Sequence, residues 1–381
     1  MPGLSIVSPP FAAALIFLAL GGWALWRRLR RTRRGRQVTA ATGVGAVVLT
    51  IAAALTLANS YFSYLPQVRD VTNVVSEERN WPDYAVVAAL PVAAAHRKWP
   101  NGVVVHLDVP DRGSGFGNST ALVWLPPQYF THPAERFPVV YLFHGSPGVP
   151  GDWFRGGQAT QSAGMLADRG HPVIIVSPRM SHGWLDDPEC VNGIHEKVES
   201  HLLDDVFPAV DGTLRTIADR TGRTLGGMSA GGYCALNLGL RHRDLVSSII
   251  DMSGFTAPTH TGGMAVLFGP PAPAQVATVR ANSPGSYAAT LPPGPPMRIW
   301  MDAGNEDKEV LEEMTPVAAE LKADGLQVDF RVRPGAHTFY VWAPALRQAL
   351  PWTQGLPAGT ETFDASVPGP AAVPVAHVTS R

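Results

Sequence analysis

The chain has 381 residues and a formal net charge of −1, and 45% of its residues are hydrophobic. This length allows one large domain or two, with enough apolar residues for a sizeable core. The small net charge hides an asymmetry, because residues 1–62 contain seven arginines and no acidic residue. With those seven removed from the 30 basic residues, 23 remain against 31 acidic ones, a charge of −8. A body this acidic argues against nucleic-acid binding, which requires a basic face.

Two apolar segments near the N-terminus are long enough to cross a bilayer. Residues 4–26 and 38–62 carry no charge, and a transmembrane helix needs about 20 such residues. The arginine-rich residues 27–36 between them predict a cytoplasmic loop. We therefore predict a transmembrane hairpin over residues 1–65, with everything after it outside the cytoplasm. A cleavable signal peptide is the alternative for the first segment, but its positive charges would precede the apolar run rather than follow it.

Residues 66–100 show weak periodicity and predict a linker, with a short helix over 84–95. Alternating apolar residues then predict two strands, 103–109 and 121–125, joined by a glycine- and serine-rich turn.

From residue 137 onward, strand patterns alternate with helix patterns. The predicted strands are 137–143, 172–177, a strand ending at 223–225, 245–250, 297–301 and 328–332. The predicted helices are 160–168, 198–217, 233–240, 310–323 and 340–350. This alternation predicts an α/β domain over residues 101–352, with a mostly parallel sheet and helices on both faces.

Two segments of this region lack periodicity. Residues 258–296 are rich in proline and glycine and predict a cap or rim over a site. Residues 353–381 have no periodicity either and predict a disordered tail.

The segment Gly227-Met228-Ser229-Ala230-Gly231 fits the G-x-S-x-G nucleophile elbow. In such an elbow a strand turns sharply into a helix and leaves the serine exposed at the tip. Small residues also cluster in ordinary turns, so the pentapeptide alone is a weak signal. With the alternating elements around it, the motif predicts an α/β-hydrolase fold and makes Ser229 the candidate nucleophile.

A serine nucleophile needs a base, which follows it in the chain of an α/β-hydrolase. Three histidines lie downstream, at positions 242, 260 and 337. His337 lies just after the last predicted strand and before the last helix, which favours it as the base. His242 lies among charged residues at a helix end, and His260 lies in the proline-rich excursion.

The acid that orients the base is expected after the strand over 297–301. Three candidates follow there: Asp307, preferred because it lies in the turn beyond the strand, Glu306, and Asp302. Asp302 is closer to the strand, where it could instead hold the turn.

An oxyanion needs two converging N–H donors. The Ala230 amide, directly after the nucleophile at a helix N-terminus, is one candidate. The other is the Ser146 amide, in the loop that begins with His144 and Gly145, because Pro147 has no N–H.

Several residues beyond the predicted strands are candidates for substrate contacts, with ordinary surface-loop residues as the alternative. They follow strands on the edge of the sheet where ligands bind. These residues are His144, Asp152, Trp153, Arg179 and Trp184. No metal-ligand spacing and no phosphate-binding glycine loop is present in the sequence, so we expect neither a metal nor another cofactor.

The two cysteines, Cys190 and Cys234, are too few for a disulfide framework or a cysteine-rich zinc site. They could pair in an oxidising compartment or remain two buried thiols. The separation of their Cα atoms decides between these alternatives.

The pair at 144–145, the segment 227–232, the turn 304–307 and the segment 335–337 resemble the putative-esterase family of α/β-hydrolases. This family includes esterase D, feruloyl esterases and the antigen 85 mycolyltransferases. The resemblance covers residues 103–352 and implies hydrolysis or acyl transfer on carboxylic esters. It assigns Ser229, Asp307 and His337 as nucleophile, acid and base. Only four of the 30 basic residues are lysine, which indicates a GC-rich genome of the actinobacterial type.

Together these observations predict a serine esterase anchored in the cell membrane by two spans, with its catalytic domain outside the cytoplasm. Its partners would be the membrane and an ester substrate, with envelope lipids and glycolipids among the candidates. Two alternatives remain: an acyltransferase that uses a sugar or lipid hydroxyl, and a non-catalytic envelope binding module.

Overall fold

The computed structural model describes residues 9–31, 36–62, 81–183, 186–187, 189–260 and 262–358. The chain divides into two compact units, 1–79 and 80–381. The predicted disordered tail lies almost wholly outside the described residues.

The first unit is a pair of helices, Pro9–Arg31 and Arg36–Phe62. Small residues let them approach closely, since a Cβ at Gly22 would lie 3.3 Å from the Cβ of Ala46. The Trp23 indole also donates a hydrogen bond of 3.0 Å to the Thr50 hydroxyl. Segments Pro10–Arg31 and Arg36–Leu57 are long and apolar enough to span a membrane by length and composition. The two apolar segments predicted from the sequence are therefore helical through their described residues.

The second unit is built on an eight-stranded sheet in the order β1-β2-β4-β3-β5-β6-β7-β8. The β1–β2 and β2–β4 pairs are antiparallel and the other pairs are parallel, which confirms the predicted mostly parallel sheet. The strands are β1 (Val103–Val109), β2 (Ser119–Leu125), β3 (Val139–Phe143), β4 (Ile174–Pro178), β5 (Arg223–Met228), β6 (Ser248–Met252), β7 (Arg298–Gly304) and β8 (Gln327–Arg333).

The central strands are covered on both sides. Every residue of β3, β4, β5 and β6 is buried, and successive strand residues point to opposite faces. Both faces must therefore be packed, as in a doubly covered parallel sheet. Three long helices pack against these strands and β7 and β8: the elbow helix (Ala230–Arg241), the helix Lys308–Ala323 and the final helix (Phe339–Thr353).

Shorter helices complete this unit. They cover the segments between strands and the segment before β1. Their bounds are Tyr84–Ala88, Val92–Lys98, Gln128–Thr131, Pro150–Trp153, Ala159–Asp168, Val198–Ser200, His201–Val206, Phe207–Thr213, Arg220–Gly222, Met264–Phe268, Pro273–Ala281, Pro284–Tyr287 and Ala288–Thr290.

The predicted linker over 66–100 is wrong for its described part. Residues 81–100 contain two short helices, Tyr84–Ala88 and Val92–Lys98, whose Val87 and Ala95 side chains are buried in the core of the second unit. Asp83 also pairs with His106 of β1. The short helix predicted over 84–95 falls on the two observed helices, but the weak periodicity of this segment did not reveal that it packs into the core. The helix predicted to end at residue 350 also continues to Thr353.

Candidate active site

The candidate nucleophile occupies a strained turn between β5 and the elbow helix. Ser229 has φ 56° and ψ −125°, a conformation that non-glycine residues rarely adopt, and its side chain is partly exposed. A Cβ at Gly227 would overlap the Gly231 carbonyl, and one at Gly231 would overlap the Phe143 carbonyl at the end of β3. The two glycines of the motif are thus required by close backbone contacts, as in a nucleophile elbow.

The loops that follow β7 and β8 are joined by backbone hydrogen bonds. The Asn305 amide donates to the Arg333 carbonyl at 2.7 Å, and the Glu306 amide donates to the Gly335 carbonyl at 2.9 Å. These bonds bring Asp307 to His337, where Oδ2 lies 2.7 Å from Nδ1. Because a carboxylate accepts here, Nδ1 carries the proton and Nε2 is left as the acceptor that a general base needs.

The structure distinguishes Asp307 from the other two candidate acids. The Glu306 side chain is exposed, and only its backbone amide meets the histidine loop. Asp302 is completely buried and forms an ion pair with Arg333, with 2.6 Å between Oδ2 and Nε. Burial raises the pKa of Asp302 to about 7, although Arg333 opposes that shift. Asp302 thus holds the β7–β8 edge together, and Asp307 alone among the three contacts the imidazole.

His337 is held over the end of β6 by a residue that sequence reasoning missed. The Trp342 ring meets the imidazole edge to face, with 4.9 Å between ring centroids. The Trp342 indole donates a 3.0 Å hydrogen bond to the Ser253 hydroxyl. Ser253 directly follows Met252, whose carbonyl accepts the Ser229 amide at 2.9 Å. This series of contacts links the imidazole to the elbow, and no local sequence signal indicated it.

No hydrogen bond joins the Ser229 hydroxyl to His337 in the part of the chain that the structure describes. Such bonds are often long in unliganded enzymes and shorten when substrate binds. The structure therefore unites the candidate acid with the candidate base and links that base to the strand next to the elbow.

The two candidate oxyanion donors line one small pocket. Ala230 begins the elbow helix, so its amide has no acceptor within the helix. The Ser146 amide donates to no backbone carbonyl among the described residues. The Gly145 backbone lies against the nucleophile, since a Cβ there would be 3.3 Å from the Ser229 Cβ. The lining residues are His144, Gly145, Ser146, Met180, Asp186, Asp187, Glu189, Cys190 and Ala230.

His144, predicted as a possible substrate contact, is a buried member of this pocket. Its Nδ1 lies 2.8 Å from the Gly145 carbonyl oxygen. Its Nε2 is buried without a hydrogen-bond partner. Burial lowers the pKa of His144 to about 4, so the ring is neutral near pH 7.

Two other predicted substrate contacts hold the loop instead. Trp153 is completely buried, and its indole donates to the Phe143 carbonyl at 2.9 Å. Asp152 is 6% exposed, accepts from the Val149 amide at 2.8 Å and pairs with Arg155 at 3.0 Å. Residues bonded to the loop in this way are not presented to a substrate, so their prediction as wall residues is wrong. The sequence did not reveal that the chain turns inward after residue 149.

The remaining two predicted substrate contacts are Arg179 and Trp184. Arg179 is partly buried, and its charge helps lower the pKa of His144. It lies near the pocket without lining it. Trp184 lies outside the described residues.

The two cysteines form a disulfide bond, with 5.4 Å between their Cα atoms. Cys190 belongs to the pocket wall, and Cys234 lies in the elbow helix five residues after Ser229. The bond thus ties the pocket wall to the helix that carries the candidate nucleophile, which resolves the pairing that the sequence left open.

A second Ser-His-Asp series lies elsewhere in the second unit. Ser119 Oγ is 3.1 Å from His201 Nε2, and His201 Nδ1 is 2.9 Å from Asp205 Oδ2. The His201 and Asp205 side chains are completely buried, and Phe116 stacks on the imidazole at 4.0 Å. An imidazole enclosed in this way cannot deliver a proton to a leaving group, so we assign the series to the packing of the fold. In the described residues, no cluster of histidine, cysteine and acidic side chains is arranged to hold a metal ion.

Two curated proteins are similar to this chain in sequence. An uncharacterised protein of Corynebacterium glutamicum is 30% identical over 253 residues, covering 64% of this chain and 58% of that protein. An esterase of Mycobacterium tuberculosis is 28% identical over 245 residues, covering 57% of this chain and 52% of that protein. The chain thus spans little more than half the length of these curated relatives.

Solved structures show the same fold. A ferulic acid esterase superposes with a TM-score of 0.57 at 23% identity, covering 67% of this chain and 98% of that one. An S-formylglutathione hydrolase from Agrobacterium tumefaciens gives a TM-score of 0.56 at 17% identity, covering 67% and 95%. These likenesses confirm the predicted α/β-hydrolase fold.

A family model described as "Putative esterase" matches residues 117–353. That segment is more than half of the chain and includes the elbow, the Asp307–His337 pair and the pocket. The family expected from the sequence motifs is thereby confirmed: the chain belongs to the Putative esterase family.

Proposed function

We propose that this protein is a membrane-anchored serine esterase that hydrolyses carboxylic esters through an acyl-enzyme on Ser229. The observation that carries this proposal is the Asp307–His337 hydrogen bond of 2.7 Å. It lies at the sheet edge that also carries the strained elbow. An isolated surface histidine would have no reason to be oriented by a carboxylate from a neighbouring loop.

In the proposed mechanism His337 takes the proton of the Ser229 hydroxyl as the oxygen attacks the ester carbonyl. Asp307 holds the imidazole in the tautomer that leaves Nε2 free to accept. The amides of Ala230 and Ser146 stabilise the oxyanion, and each such donor typically contributes about 3–4 kcal/mol to transition-state stabilisation. His337 then protonates the alcohol as it leaves, and water resolves the acyl-enzyme by the reverse sequence.

Labelling with a fluorophosphonate probe tests the nucleophile. The full-length protein in detergent should be labelled, and Ser229→Ala should abolish the label. Ser119→Ala is the matched control, because Ser119 belongs to the other Ser-His-Asp series and should leave labelling intact. Equal labelling of the parent and Ser229→Ala would refute the proposal. Product analysis with and without an added alcohol distinguishes hydrolysis from acyl transfer.

The proposed anchor is the helix pair of the first unit, with the catalytic unit outside the cytoplasm. Short arginine-rich loops remain in the cytoplasm, and disulfide bonds persist in oxidising compartments. The Cys190–Cys234 bond therefore favours an extracytoplasmic catalytic unit. Alkaline phosphatase should be active when fused after residue 80 and inactive when fused after residue 34. The reverse pattern, or release of the protein from membranes by alkaline carbonate, would contradict this topology.

A further inference from the structure

The pocket that contains the Ala230 and Ser146 amides is lined by an unusual number of acidic side chains. Asp186, Asp187 and Glu189 all line it, and none of its described lining residues is a lysine or an arginine. An oxyanion forming nearby would be opposed by this charge, unless the carboxyl groups are protonated or a cation is present. The pocket thus has a charge that the proposed chemistry does not explain.

His144 adds an independent observation. The Gly145 carbonyl can only accept, so the 2.8 Å contact requires His144 Nδ1 to carry the proton. In the neutral ring Nε2 is then an acceptor, and it is buried without a partner in a residue that is 4% exposed. An unpaired buried acceptor costs free energy that a ligand carrying an N–H or O–H donor would recover. The orphaned nitrogen therefore indicates a donor group in the pocket.

The two neighbouring acids, Asp187 and Glu189, indicate what kind of donor group the pocket binds. Glu189 is 3% exposed and accepts from the Thr259 amide at 3.0 Å and the Thr259 hydroxyl at 2.9 Å. Burial raises the pKa of Glu189 to about 8, and the nearby Asp187 carboxylate contributes to that shift. Burial also raises the pKa of the half-buried Asp187, while the charge of His260 and the Ser146 hydroxyl oppose the rise. A cation between the two acids would relieve their repulsion, whereas a neutral hydroxyl group would not.

We propose that this pocket binds a protonated amine of the substrate, so that the preferred esters carry an ammonium group close to the scissile carbonyl. Asp187 and Glu189 would supply the charge, and His144 Nε2 would accept one N–H. The bound cation would also offset the carboxylate charge beside the oxyanion. This inference rests on the proposed esterase function, because the pocket adjoins the candidate oxyanion donors.

The test compares esters that differ only in charge, at about pH 7, where the amine is still mostly protonated and a bound cation can keep Asp187 and Glu189 ionised. One pair, alanine ethyl ester and ethyl isobutyrate, places the ammonium on the acyl side. The other pair, dimethylaminoethyl isobutyrate and isopentyl isobutyrate, places it on the alcohol side. For the full-length protein in detergent we expect kcat/KM to favour the cationic ester of one pair by about tenfold, the effect of 1.4 kcal/mol.

Asp187→Asn and Glu189→Gln should each reduce that cationic-to-neutral ratio by about tenfold. Glu312→Gln, which removes an exposed carboxylate from the helix Lys308–Ala323, should leave the ratio unchanged. Fluorophosphonate labelling of each variant shows whether the elbow is intact. Because Asp187 is half-buried, Asp187→Asn disturbs the fold less than Glu189→Gln. A wild-type ratio near one in both pairs, or a ratio unaffected by both pocket variants, would overturn the inference while leaving the esterase function intact. Failure to turn over any ester, without labelling at Ser229, would instead overturn the proposed function.

Discussion

His337 Nδ1 lies 2.7 Å from Asp307 Oδ2, although 30 residues separate them in the chain. Helix Lys308–Ala323 and strand β8 occupy that interval. The loops at either end meet through backbone bonds between residues 305 and 333 and between residues 306 and 335. The relative position of the candidate acid and base is therefore fixed by the backbone hydrogen bonds between the two loops.

Asp307→Asn should reduce kcat/KM for a neutral ester by about 10³–10⁴-fold, because the amide no longer favours the correct imidazole tautomer. Glu306→Gln is the matched control, since its exposed side chain should change kcat/KM by less than about twofold. Steady-state kinetics of both variants checks this prediction. A larger loss in Glu306→Gln than in Asp307→Asn would reverse the assignment of the acid.

Trp342→Phe should lower kcat by about tenfold with little change in KM, because a small displacement of the base disturbs the attack geometry. The substitution removes the indole donor to Ser253 and keeps an aromatic ring near His337. Trp352→Phe, in the same helix, should leave kcat unchanged. The pH profile of kcat distinguishes a role of Trp342 in positioning the base from a purely structural role. A displaced base shifts the profile, whereas a purely structural loss does not.

Asp251→Asn should make the stability of the second unit less dependent on pH. Asp251 is completely buried beneath the elbow, its Oδ1 accepts from the Gly254 amide at 2.9 Å, and burial raises its pKa to about 7. The folded state therefore holds a proton that the unfolded chain releases near pH 4. Stability is lost as the pH rises from about 4 to about 7, and the loss stays constant above that range.

An asparagine at position 251 does not titrate, so the pH-dependent contribution of Asp251 to stability disappears. Thermal unfolding of the full-length protein at several pH values, followed by tryptophan fluorescence, measures the change. Between pH 4 and 7 the melting temperature should fall less steeply in Asp251→Asn than in the wild type. Asp168→Asn, which alters an exposed carboxylate, should follow the wild-type curve; parallel curves for all three proteins would contradict the prediction.

Replacing both cysteines with serine should lower the free energy of unfolding by about 4 kcal/mol, the loop-closure value for a sequence separation of 44. Denaturant unfolding of the double variant and of the parent, each with and without reductant, measures the difference. Reductant should destabilise only the parent. If the parent is unaffected by reductant after full reduction of the bond, the disulfide contributes little to stability.

The sequence by itself indicated all eight strands in chain order, the long helices between them and the loops that carry the candidate catalytic residues. Continuous or alternating apolar patterns located seven of the eight strands, because burial of one or both faces leaves a pattern that is visible in the chain, and the elbow motif located β5. The G-x-S-x-G segment identified the elbow because close backbone contacts at Gly227 and Gly231 exclude side chains. The position of His337 followed from the order of elements in this fold.

The tertiary structure decided which side chains meet. Three acids followed the predicted strand over 297–301, and only the hydrogen bonds between the two loops select Asp307. Asp152 and Trp153 had suitable positions in the chain, yet the turn after residue 149 buries both of them. The Trp342–Ser253 contact, the Cys190–Cys234 bond and the acidic pocket join residues far apart in sequence. Such contacts depend on the distances between side chains in the folded sheet, which no local pattern encodes.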